Sequence, residues 1–143
     1  MAIEDWMPTL ASLLAETPGL VQVHTYEDLP ATLSVFPCLV ILPERGTQMF
    51  GGPNIARHEV RAVLYVAGQL LPEAYATAVP FIRLFRNKLA GRIQLGLTNI
   101  EHAIPAPGNW YEGPGAIKYG DKELTGIIFR IEIKETETFS VSA

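Results

Sequence analysis

Residues 57–67 read RHEVRAVLYVA, and their two-residue rhythm decides how the rest of the chain is arranged. Side chains of an extended strand alternate between its two faces. His58, Val60, Ala62, Leu64 and Val66 therefore share one face, and Arg57, Glu59, Arg61, Val63 and Tyr65 share the other. The first row is apolar but for one histidine, which reads as a hydrogen-bonded residue at the core or its rim. Upstream, CLVILP at 38–43 is a short continuous apolar run, the mark of a strand covered on both faces. Between the two, PERGTQMFGGPNIA at 43–56 contains Gly46, Gly51, Gly52 and Pro53 and reads as a long loop. The three pieces make a long β-hairpin with the loop at its tip.

Downstream, Gly68 breaks the strand and Pro72 suits a first helical position. Over 72–90, Ala74, Ala78, Phe81, Ile82, Phe85 and Leu89 recur at helical spacing. Arg83, Arg86, Asn87 and Lys88 fall on other faces, the last three near the helix C-terminus, where positive charge favours the macrodipole. Pro80 predicts a kink, and Gly91 a C-cap. Residues 92–104 alternate weakly and read as a strand with a bulge at Gly96. A closing hairpin pairs 116–119 with 124–134 around a turn at Gly120 and Asp121. In its second strand Ile127, Phe129, Ile131 and Ile133 face one way, and Gly126, Ile128, Arg130, Glu132 and Lys134 the other.

At the start, Ile3, Trp6, Met7, Leu10, Leu13 and Leu14 form a helical stripe over 3–16 that Thr17, Pro18 and Gly19 terminate. LVQVHTY at 20–26 alternates and is β-branched, a further strand. The connection EDLPATLSVFP has room for one helical turn. ETETFSVSA at 135–143 reads as a polar C-terminal tail. Together these predict one α+β domain over 1–143. It has two layers, an antiparallel or mixed sheet with two helices on one face and a long hairpin loop.

Composition narrows the function classes. Of the 143 residues 48% are hydrophobic and 18% charged. The charged share is below the roughly 25% of an ordinary soluble domain, which fits either a compact monomer with a rich core or, as the favoured reading, a subunit that buries surface against its own copies. Net charge is −4, with no basic run to grip phosphates. The acidic N-terminal stretch MAIEDWMPTL lacks the pattern of a signal peptide, and no apolar run approaches the roughly 20 residues of a membrane helix. The one cysteine, Cys38, sits in an apolar run and reads as a small core residue.

No catalytic motif is present. His24, His58 and His102 lack metal-ligand spacing, and no HExxH, CxxC or GxSxG occurs. The glycine-rich stretches have neither phosphate-loop order, so no cofactor is expected. Glu135 and Glu137 read as a solvated edge. What remains is surface. Met49 and Phe50 lie in one loop. PAPGNWYEGPGAIKYG at 105–120 is the other, with three prolines, four glycines and the aromatics Trp110, Tyr111 and Tyr119. Leaving a large aromatic wet forgoes several kcal/mol of burial, at about 25 cal/mol per Å². These residues, with Tyr65 on the polar row, are candidate inter-subunit or partner contacts. Trp110 has an alternative, to fold back over its own sheet edge.

The stretches PGLVQVHTY, FPCLVILPERGTQMFGG, HEVRAVLYVAGQLLPEAYATAVPFIRLF and NWYEGPGAIKYGDKELTGIIFRIEIKE give an order of elements that resembles the tail terminator, or tail-to-head joining, proteins of long-tailed bacteriophages. The resemblance implies a non-enzymatic virion protein of the tail or neck, assembled in the host cytoplasm. It implies a ring of copies, commonly six, at the head-proximal end of the tail tube. Its partners would be its own copies, the tail tube protein and the head connector. Genome DNA would pass the lumen without sequence-specific binding, and no membrane is involved. A head-completion or neck-ring subunit is one alternative. A small cytosolic dimeric binding domain is another. A third, an enzyme built on His24, His58 or His102, requires a histidine and a carboxylate to converge in a cleft.

Overall fold

A computed structural model of the chain describes residues 3–49, 54–69 and 71–137, with the backbone alone of Met49, Asn54 and Glu137. Helix α1 spans Ile3–Ala15. Strands β1, β2 and β3 follow at Gln22–Thr25, Cys38–Met49 and Asn54–Ala67. A 3-10 turn at Pro72–Ala74 leads into a one-turn helix α2, Tyr75–Ala78, and then α3, Pro80–Gly91. Strands β4, β5 and β6 are Ile100–Pro105, Tyr111–Tyr119 and Lys122–Glu137. The fold is α+β, as the alternation and helical stripes imply.

The sheet is mixed. Its order is β1-β2-β3-β6-β4, with β5 also on β6. The β1–β2 pair is parallel and every other pair antiparallel. β6 is the spine. One edge pairs with β3 along most of its length, while the other takes β5 over its first half and β4 over its second. Gly126 permits the close approach of β6 to β3. A Cβ there would lie 2.1 Å from the Leu64 carbonyl oxygen, a backbone atom that cannot step aside.

The row sorted from 57–67 behaves as alternation demands. Val60, Ala62, Leu64 and Val66 join Ile127, Phe129, Ile131 and Ile133 in the main core, beneath Trp6, Met7 and Leu10 of α1 and Phe81, Phe85 and Leu89 of α3. Burying side chains of this size is worth roughly 1.5–3 kcal/mol each, so this layer carries the stability of the domain. Pro80 interrupts the second helix where the kink is expected, although Val79 between the two pieces keeps helical angles (φ −55°, ψ −42°). α2 ends at Ala78 and α3 begins at Pro80, because proline has no N–H to continue the ladder and its ring crowds the carbonyl four residues back.

The opposite face of the sheet is covered at one end only. Cys38, Val40, Val63, Tyr65, Ile117 and Leu124 form a second cluster, closed by Leu33 and Phe36 of the β1–β2 connection rather than by a helix. This is why CLVILP is apolar on both sides. Its connection carries no helical turn.

Three expectations change. Residues 43–56 are mostly strand, since β2 runs on to Met49 and β3 starts at Asn54, leaving a tip of only 50–53. Backbone pairing across the hairpin overrides Gly46, while Gly51, Gly52 and Pro53 lie outside the described residues. Residues 92–99 are turns instead of strand, with Leu95 (φ 53°) and Gly96 (φ 70°) both left-handed and the Leu95 side chain buried as an anchor. The broken segment at 105–120 is strand from Tyr111 onward, its irregularity absorbed by a register shift between Glu112 and Gly115.

Candidate assembly surfaces

The aromatic candidates separate once packing is known. Tyr65 is 4% exposed, so it has no surface to offer a partner. Its hydroxyl donates to the Lys118 carbonyl at 3.3 Å, and burial pushes its pKa up to about 12. Tyr119 stands edge-on to Tyr65, ring centroids 5.7 Å apart, and its hydroxyl donates to the Pro30 carbonyl. The two phenols bind the β1–β2 connection and the β5–β6 hairpin to the sheet. Tyr65 thereby drops out as a contact residue, because the cross-strand cluster covers it, and half-buried Tyr119 serves chiefly this internal join.

Trp110 follows its second alternative. Its ring lies 4.9 Å from Phe129, which stands edge-on to Phe85 at 5.1 Å, so the indole extends the main core. The Trp110 carbonyl accepts from the Arg130 N–H at 2.9 Å. This seat holds the proline- and glycine-rich segment in place. Tyr111, one residue on, is 46% exposed. Phe50 and the side chain of Met49 lie outside the described residues.

Beyond the second cluster the far face of the sheet is a charge lattice. Register puts Arg61 opposite Arg130 and Glu59 opposite Glu132. Like charges directly across are unfavourable, so the pairs run diagonally, Arg130 to Glu59 at 3.7 Å and Arg57 to Glu132 at 3.8 Å. A shift between Pro43 and Arg45 inserts Glu44 into β2, and its carboxylate lies 3.4 Å from Arg130. Glu112 completes the ring around Arg130 at 2.8 Å.

Every histidine meets a carboxylate. His24 lies 3.3 Å from Asp28, His102 2.8 Å from Glu132 and His58 2.7 Å from Glu135. Asp28 is held below the usual carboxylate range, first by the Thr25 backbone N–H at 2.8 Å and then by His24. Glu135 is fully buried, which overturns its reading as part of a solvated tail. β6 continues through it, and strand parity turns it inward beside His58, over which the Trp6 ring packs at 5.3 Å. A cavity of about 280 Å³ opens at the base of the hairpin, lined by Arg45, Arg57, His58, Glu59 and Glu132 and walled by Pro107. Its charges are largely matched within the cavity. Among the described residues no group of three ligating side chains could hold a metal.

Unmatched surface lies elsewhere. Among the described residues, six large hydrophobic residues are between 38% and 59% exposed. Val21 precedes β1, the strand at one end of the sheet, and Leu29 and Val35 lie in the β1–β2 connection. Val79 and Ile93 bracket α3, which packs on β4 at the other end, and Tyr111 opens β5 beside it. Periodicity missed five of these six: Val21, Val79 and Ile93 fall in segments read as strand or helix that are turn or connection in the structure, and Leu29 and Val35 lie in a connection with no repeat. No protein-family model matches the chain, and no curated protein matches its sequence.

Proposed function

We propose that this chain is the repeating subunit of a ring at the head-proximal end of a phage tail tube, a tail terminator. The observation that carries this is the set of large apolar side chains left exposed among the described residues, Val21, Leu29, Val35, Val79, Ile93 and Tyr111. Contact between unlike surfaces of successive copies would cover them, and such contact closes into a ring when the rotation allows. The outer edges of β1 and β5 have no strand partner among the described residues, so backbone pairing is also open there, whereas the edge of β4 is partly taken by the Ile93 carbonyl, which accepts from the Ala103 N–H. The hairpin of 12- and 14-residue strands, with β6 paired beside it to Glu137, extends one end of the sheet as a further surface for an adjoining ring.

Native mass spectrometry of the purified protein tests this. Closed rings, six-fold by the resemblance, support it, and a strict dimer or monomer over the whole accessible concentration range refutes it. Capping of purified tail tubes then separates a tail terminator from a head-completion or neck ring. The charged cavity lined by His58 and Glu132, with Glu135 2.7 Å from His58, meets the condition set for the enzyme alternative and favours a second reading, a small-ligand regulatory domain. That reading requires a dimer whose stability rises with ligand.

A further inference from the structure

Two helices end side by side in this fold and leave a cleft between their last turns. α1 closes at Ala15 and α3 at Gly91, and the two pack together. The space they enclose is about 400 Å³, within the roughly 300–1,000 Å³ of small-molecule clefts. Leu84, Lys88 and Gly91 line it from one face of α3, and Leu13, Glu16 and Pro18 face them from α1 and the turn that follows. Arg92, just past α3, adds to the rim.

The charges on that rim do not cancel. Lys88 lies 3.7 Å from Glu16, an ion pair too long for a hydrogen bond. The Arg92 side chain is exposed and has no ion pair or hydrogen bond among the described residues. Glu101, which shares an adjoining cleft with Arg92, is already held by Lys134 at 2.8 Å. Helix C-termini carry negative partial charge that opposes an anion. Here that field is reduced, because the Leu13, Leu14 and Leu89 carbonyls accept from the backbone N–H groups of Glu16, Thr17 and Arg92. One guanidinium is therefore left without a counter-charge at the mouth of a cleft floored by Leu13, Leu84 and Pro18.

Gly91 keeps this cleft open. It is the last residue of α3, the C-cap being Arg92, and its φ lies outside the left-handed range, so conformation does not call for glycine. Crowding does not call for it either, since a Cβ there would meet no atom within 4 Å. Glycine is a poor helix former, and alanine would suit the helix better. A larger side chain at this position would fill the cleft without backbone strain.

We propose that the cleft between α1 and α3 binds a small carboxylate with an apolar body, its acid group on Arg92 and its hydrocarbon on Leu13, Leu84 and Pro18. This goes beyond the ring reading and does not depend on it. Arginine suits the role, since its planar fork matches a carboxylate with two donors, and Arg92 breaks no ion pair to turn toward one. The cavity at the hairpin base offers no such match, because its two arginines already face two carboxylates.

Sodium hexanoate is the probe, with hexanamide and hexylammonium chloride as uncharged and cationic counterparts at matched ionic strength. Titrated into isotope-labelled protein, hexanoate should move the backbone amide signals of Leu13, Gly91 and Arg92 with roughly millimolar affinity, as a ligand of this size allows. Hexanamide should bind about 10-fold more weakly, and hexylammonium more weakly still. Arg92→Gln should lower hexanoate affinity by about 10-fold and leave hexanamide unaffected. Gly91→Leu should abolish the shifts while melting no lower than its parent, which separates a filled cleft from a damaged fold. Arg92→Gln, on the exposed rim, carries the test should Gly91→Leu disturb α3. Hexanoate that moves none of these signals at tens of millimolar overturns the proposal, as do three probes that bind alike. Shifts confined to Thr47 and Arg57 also overturn it and place the ligand at the hairpin base. Ring formation is read separately by native mass spectrometry, so neither result stands in for the other.

Discussion

Replacing Trp110 with alanine removes an indole lying 4.9 Å from Phe129 at the edge of the main core. Truncating a buried tryptophan typically costs about 3–5 kcal/mol. Trp110 is only partly covered, so the lower figure, about 3 kcal/mol, applies. Against the roughly 5–15 kcal/mol that holds a domain folded, this is a large fraction. For a chain of this length it lowers Tm by roughly 10 °C. Tyr111→Ala, one residue away, removes a ring that is 46% exposed. Its effect on Tm should stay at about 2 °C, within the range of surface substitutions, while on the proposed ring reading assembly should weaken, because an exposed aromatic anchor is lost. Trp110→Phe should keep most of the stability, since it retains a ring on Phe129 and deletes a buried indole N–H that has no acceptor. Thermal melts followed by circular dichroism, with native mass spectrometry on the same samples, read both effects. A Trp110→Ala protein that melts with its parent would refute the seat on Phe129. A Tyr111→Ala protein that assembles with undiminished affinity would remove the β5 end from the interface.

Gly126→Ala should lose more than about 3 kcal/mol in urea titrations or fail to fold, because its Cβ meets the Leu64 carbonyl at 2.1 Å; a variant of parental stability would contradict the β3–β6 spacing. Asp28 has a folded pKa below its unfolded one, so its stabilising share is complete above about pH 4 and is lost as pH falls through the folded value. Asp28→Asn should therefore flatten the acid limb of the urea-midpoint profile, and an unchanged limb would show that other carboxylates set it. The Cys38 thiol is raised to about 11 by burial and should resist an aromatic disulfide reagent at about pH 8 until the protein is unfolded; rapid labelling of the native state would place it at the surface.

Much of the fold was legible from local pattern. The faces of β3 and β6, the stripe of α1 and the interruption at Pro80 follow from geometry that each segment carries by itself. Cβ atoms alternate along a strand whatever lies beside it, and a proline lacks its donor in any context. Charge was legible too, as a count. The arginines of 79–100 were visible as residues off the core stripe of a helix, though not the cleft that Arg92 lines.

Tertiary structure decided what depends on a partner distant in sequence. Glu135 looked solvated among polar neighbours, and its burial follows from extension of β6 beside His58, 77 positions away. Trp110 looked exposed in a broken loop until Phe129 supplied its seat. Hairpin strands continued through Gly46 because each gained a ladder across the sheet, which propensity summed along the chain does not count. Periodicity assigns a side chain to a face, but register and crossover determine what occupies that face. The placing of α1 over β1 and of α3 over β4 is likewise a tertiary outcome.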